Sequence, residues 1–173
     1  GKSMAQVEVR RALMGRTLFF VPLVNPDGAD IALYGSASAG VYADSVHARG
    51  GDIPGNWQAN ARGVDINHNF DAGFDTENAD MPTAPAARRF RGTHPESEPE
   101  TASLCALCRR QRFRHVTALH TQGEEIYWQY GAHTPVASRM MAEILASASG
   151  YVTAKPDGAA AFGGFKDWFI DTF

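Results

Sequence analysis

Two cysteines, no long apolar run and no surplus of positive charge set the first bounds on this 173-residue chain. A bilayer-spanning helix needs about 20 consecutive apolar residues, and no stretch here approaches that. The net charge of −3 argues against a nucleic-acid groove and against an anionic membrane surface as partner. The opening residues, GKSMAQVEVRR, hold no apolar stretch of the secretory-signal kind, so none is expected. They also lack an initiator Met and read as the inside of something longer. Internal repeats and low-complexity tracts are absent. What remains, 44% apolar and 20% charged residues, is the composition of one ordinary globular domain with a real core.

Cys105 and Cys108 are spaced as a CxxC. That spacing can be redox-active or half of a zinc site, but no second CxxC follows and no strand ends just before it. Both residues fall in a helical pattern, where positions three apart share a face, and we read them as small apolar residues turned to the core. Free thiols fit a cytoplasmic protein.

The chain alternates helix and strand signals. Gln6 to Met14 is amphipathic and stops at Gly15. Thr17 to Val24, TLFFVPLV, is apolar on both faces, as a central strand covered by helices would be. Asn25-Pro26-Asp27-Gly28 is a turn signal. Residues 29–80 show little periodicity and read as a long irregular segment with one helical turn near Tyr34; such segments tend to carry function. Within it, Gly63 to Ile66 fits an edge strand. Residues 81–95, with three prolines, read as loop. Ser97-Glu98-Pro99-Glu100 opens a helix to about Phe113, with Ser97 as N-cap and acidic residues at the positive end of the dipole. Val116 to Leu119 is the next strand, then Ile126 to Trp128. Thr134-Pro135 starts a helix to about Ala148, Lys155 to Gly158 is a turn, and Gly163-Gly164 opens a last helix.

The central stretch is VTALHTQGEEIYWQY, Val116 to Tyr130. It delivers His120 at the carboxyl end of a strand, where ligand sites of open α/β sheets collect. By itself His120 is either a hydrogen-bonded structural residue or a metal ligand. His47, His94, His115 and His133 show no mutual ligand spacing and read as surface or loop residues. Glu124 and Glu125 read as solvated.

Five segments, VPLVNPDGAD, NARGVDINHNFDAGF, PESEPET, ALHTQGEEIYW and GGFKDW, occur in this order between residues 18 and 168. Together they resemble the zinc metallocarboxypeptidase superfamily, and within it the bacterial branch of γ-D-glutamyl-diaminopimelate peptidases. The resemblance implies a three-layer α/β/α fold around a twisted mixed sheet, with residues 1–173 the central fragment of a single catalytic domain, incomplete at both ends. It implies zinc as cofactor, with His120 the second zinc histidine. It implies a substrate-carboxylate asparagine at Asn67, and at His68 the place of the arginine that clamps that carboxylate. Gln58 falls near the arginine that polarises the scissile carbonyl, with Arg62 the nearest replacement charge. Asp65 reads as a loop anchor.

The departures matter as much. Histidine at 68 replaces a fixed, always-charged fork with a pH-dependent partner, which fits a branch cutting isopeptide-like bonds in peptidoglycan fragments. Gly158 to Ala161 offers no phenol where the family has a mobile tyrosine. The family's His-x-x-Glu does not precede Thr17, and its general-base glutamate is expected beyond Phe173. The expectation is therefore a zinc-dependent peptidase acting on a peptide with a free carboxylate, this stretch inactive alone. The rival expectation is a non-catalytic module of the same fold that binds peptides or cell-wall fragments.

Overall fold

The computed structural model describes residues 6–76, 78–121, 123–132, 134–154 and 162–173. Helix α1 spans Gln6–Leu13 and α2 Pro26–Tyr34. A 3-10 turn, Ser36–Tyr42, leads into α3, Ala43–Ala48. A second 3-10 turn is Ile66–His68. Then come α4 (Pro99–Gln111), β1 (Glu125–Tyr127), α5 (Val136–Ser149), β2 (Val152–Ala154) and α6 (Phe165–Thr172). No helix among the described residues is long and apolar enough to cross a membrane.

The chain is α/β, with a two-stranded parallel sheet. β1 and β2 pair with Glu125 opposite Val152 and Tyr127 opposite Ala154. Parallel strands need a long crossover, and α5 is that crossover. Its own start is held by Thr134, whose hydroxyl bonds both the N–H and the carbonyl of Tyr130.

Three expected strands do not form. Thr17 to Val24 and Val116 to Leu119 run without a strand partner among the described residues, and Phe20 (83% exposed) and Leu119 (91%) face solvent. A strand exists only through the ladder its neighbour supplies. His120 therefore does not sit at the end of a paired strand here. Gly63 to Ile66 is no edge strand either. The backbone folds back on itself, Asn60 N–H to Val64 O at 2.8 Å, and Asp65 N–H reaches Phe90 O at 2.8 Å. The 29–80 segment is also more helical than expected. Asn25 is the cap of α2, its Oδ1 accepting from Gly28 N–H, with Pro26 in the first turn. The turn signal there is a helix start. Lys155 to Ala161 and His133 lie outside the described residues.

Two apolar clusters hold the described chain. Ile31, Val46, Trp57, Ala59, Ala61 and Ala87 form one. Ile66, Phe70, Ala72, Cys105, Cys108 and Trp168 form the other. The second cluster brings the 60–72 segment, α4 and α6 together. Both cysteines are free and fully buried in it, as the helical spacing anticipates. Burial pushes both thiols up from their ordinary pKa.

Candidate functional site

Residues 60–70, NARGVDINHNF, alternate buried and exposed polar side chains. Asn60 (2% exposed), Asp65 (6%) and Asn69 (0%) are buried, while Arg62 and Asn67 are exposed. A buried polar group left without a partner costs about 1–3 kcal/mol, so the buried three need partners, and they have them. Asn60 Oδ1 accepts from Arg62 N–H (3.0 Å) and Val64 N–H (3.1 Å). Its Nδ2 donates to Glu98 Oε2 at 2.8 Å and Glu100 Oε1 at 3.3 Å. Asn69 Nδ2 donates to the carbonyls of Arg91 and His94 and to Ser97 Oγ, and its Oδ1 accepts from Glu98 N–H. Asp65 accepts from Arg89 N–H at 2.9 Å, which makes it the loop anchor the sequence suggests.

This frame fixes the two residues between its anchors. Asn67 Oδ1 accepts from Phe165 N–H, in the first turn of α6, at 3.2 Å. Its amide oxygen is thus taken, and among the described residues no partner takes its Nδ2. His68 is partly buried, with Nε2 3.9 Å from Asp65 Oδ2 and Nδ1 3.4 Å from Phe162 O. Gly163 makes the close approach possible. Its φ is +76°, and a Cβ there would sit 2.8 Å from His68 O, so a side chain is excluded twice over. Phe70 N–H to Gly163 O and Gly163 N–H to Ala72 O complete the clamp.

Asp167, in the first turn of α6, is 1% exposed. Burial raises its carboxyl pKa, and the hydrogen bond from Lys166 only partly offsets that. Lys166 also donates to Gln129 O at 2.8 Å and lies over the Tyr130 ring. Burial, and then the charge of Asp167, raise the Tyr130 phenol as well.

The remaining candidates lie apart from this clamp or outside any cluster. Arg62 pairs with Glu98, its Nη1 3.6 Å from Oε2. Gln58 is exposed and its carbonyl accepts from Asn25 Nδ2 at 3.1 Å. His120, Glu124 and Glu125 are exposed, with Glu125 accepting from the Tyr127 hydroxyl. Catalytic zinc takes three protein ligands and a water. Among the described residues no three His, Cys, Asp or Glu side chains are placed to hold one metal ion. His120 with the residues described around it does not fit a zinc site.

Asn60, Asn69, Glu98 and Asp167 are the residues that the motifs did not single out. The sequence pattern places Ser97 as the cap of α4 and Glu98 in the service of its dipole. Instead Glu98 itself holds the cap position with no side-chain bond to the helix, and Ser97 Oγ donates to its Oε1 at 2.9 Å. The signal available was Ser-Glu-Pro-Glu itself, two carboxylates where one suffices for a dipole.

No solved structure matches the chain. The chain is 35% identical over 172 residues to gamma-D-glutamyl-L-diamino acid endopeptidase 1 of Lysinibacillus sphaericus, covering 95% of this chain and 43% of that protein. It is 38% identical over 156 residues to the uncharacterized protein YqgT of Bacillus subtilis (strain 168), covering 89% of this chain and 42% of that one. The chain thus spans less than half the length of the curated relatives it matches. A match to the zinc carboxypeptidase family runs over residues 4–169, nearly end to end, and with it the chain belongs to that family.

Proposed function

We propose that these residues form the substrate-carboxylate side of a zinc-dependent peptidase that cleaves peptides with a γ-D-glutamyl–diamino acid bond, the diaminopimelate-containing peptides of the cell wall among them. In this reading the parent domain is a three-layer α/β/α sandwich around a twisted mixed sheet, of which these residues are the central part. Asn67 and His68 receive the carboxylate, and Arg62 and Gln58 are further substrate-binding residues outside that clamp. His120 is one zinc ligand, and the others come from sequence outside these residues. The observation that carries the reading is the fixed amide of Asn67. Its oxygen is held by α6, its donors are open, and a partly buried imidazole stands next to it. The similarity to an endopeptidase of that bond supports the substrate class.

The test uses the full protein that contains these residues, and a peptide with a γ-D-glutamyl–diaminopimelate bond followed by mass spectrometry. Cleavage at that bond is expected, with one zinc per chain and loss of both on His120→Ala. Intact peptide, or cleavage unchanged by His120→Ala and by a chelator, overturns the reading.

The rival reading is a module of the same fold that binds such peptides without cutting them. Saturable binding of the same peptide by the metal-free full protein, with no product at any zinc concentration, would select it.

A further inference from the structure

We infer that Glu98 is a positioning residue for Arg62, and that the two work as one unit in holding a carboxylate of the substrate. The inference rests on the peptidase reading above and names a residue that reading does not use. Glu98 is only 1% exposed, and a buried carboxylate needs a counter-charge and a full set of donors. Ser97 Oγ donates to Oε1 at 2.9 Å and Asn60 Nδ2 to Oε2 at 2.8 Å. Among the described residues the cation within ion-pair reach is Arg62, 3.6 Å from Oε2, its own side chain 53% exposed.

The arrangement is directional. Asn60 sets both ends of the pair, because its Oδ1 accepts from the Arg62 N–H while its Nδ2 orients Glu98. Asn69 fixes the Glu98 backbone through Oδ1. A guanidinium has five donors in a rigid fork. Held on one side by Glu98, it keeps the rest available toward solvent. An arginine restrained in advance loses less rotamer freedom when it binds a ligand. The effect then falls on substrate binding, which moves KM and leaves kcat.

The experiment is a double-mutant cycle in the full protein, with the γ-D-glutamyl–diaminopimelate peptide as substrate. Glu98→Gln is expected to raise KM about fivefold to tenfold with kcat held, a coupling ordinary for contacting residues. Arg62→Ala raises KM at least as much, and adding Glu98→Gln to it has no further effect. An equal KM effect of Glu98→Gln in both backgrounds, or none in either, overturns the inference. Should Glu98→Gln fail to fold, Ser97→Ala carries the same cycle. It keeps the charge and removes one orienting bond, so KM should rise about twofold to threefold in the wild-type background and not beside Arg62→Ala; any other pattern overturns the inference. A wild-type protein that leaves the peptide intact defeats the peptidase reading instead, and the same cycle is then read from the Kd of that peptide, with the same criteria.

Discussion

Asn67 and Asn69 are the same residue two positions apart, and burial gives them opposite duties. Asn69, with no exposed surface and four side-chain hydrogen bonds, ties its own turn to the 91–98 stretch that leads into α4. Asn69→Ala leaves several buried groups without partners and is expected to cost about 3 kcal/mol, read as a lower urea midpoint. Asn67 is exposed and makes one bond to α6, so Asn67→Ala should cost less than about 1 kcal/mol while raising KM for the carboxylate-bearing peptide. Equal stability losses in the two variants would contradict this division. His68 sits between them. An imidazole can lose its charge where a guanidinium cannot. His68→Arg supplies a fixed charge and a two-pronged fork and is therefore expected to lower KM for the carboxylate-bearing peptide; an unchanged KM would remove His68 from carboxylate binding. The motif NHN was legible in the sequence as a candidate site. Which asparagine holds the fold and which is left exposed was not, since that is decided by partners 22 to 98 positions away.

At the scale of elements, the helices with local start and stop signals were legible, whereas of the four expected strands Ile126 to Trp128 forms, as β1, and the other three do not. The proline and acidic start of α4, the closing Gly150 of α5 and the Gly-Gly before α6 are local signals, and each helix forms where its signals lie. A strand has no such autonomy. TLFFVPLV and VTAL carry strand composition, yet nothing among the described residues offers them a ladder. The 36–52 segment was illegible for another reason, because its order comes from one long-range clamp. Asp52 accepts from Ser36 N–H at 2.6 Å and Ser36 Oγ at 3.0 Å, and pairs with His47 Nδ1 at 2.5 Å. The His47 bond first, and then the two from Ser36, lower its pKa from 3.8 to about 2. A carboxyl depressed in the folded state stabilises above its unfolded pKa and stops doing so as pH falls through the folded one. The clamp should thus be intact above about pH 4 and open progressively toward pH 2. Amide exchange of residues 36–52 should show that acid limb, and Asp52→Asn should abolish it; an identical limb in the variant would assign it elsewhere. In α4, the buried Cys105 and Cys108 have raised pKa values, so neither should react with a thiol reagent until the chain is denatured.

Considered whole, the described residues bury two apolar clusters and leave a third set of apolar side chains in water. Leu18, Phe20 and Leu23 on the unpaired 17–24 run, Leu119, and Met140 with Ile144 on α5 are all more than half exposed. Leu18, Phe20 and Leu23 lie close together in the chain, and large apolar side chains gathered so closely in water mark a surface on which something packs. Among the described residues no third strand flanks the two-stranded sheet, and open strand edges invite pairing. The expected consequence is concentration-dependent association of the 173-residue polypeptide when it is produced alone. Light scattering behind size exclusion should show a rising mass between about 5 and 100 µM, the range in which exposed apolar surface drives aggregation. Phe20→Ser together with Leu119→Ser should lower that mass without changing the helical signal, since neither side chain belongs to a buried cluster. In the full protein the same surface is expected to be covered, so the same pair of substitutions should there cost stability, about 2–5 kcal/mol for a large apolar side chain removed from a core. A 173-residue chain that stays monomeric at 100 µM, or a full protein indifferent to both substitutions, would mean that this apolar surface has no partner to meet.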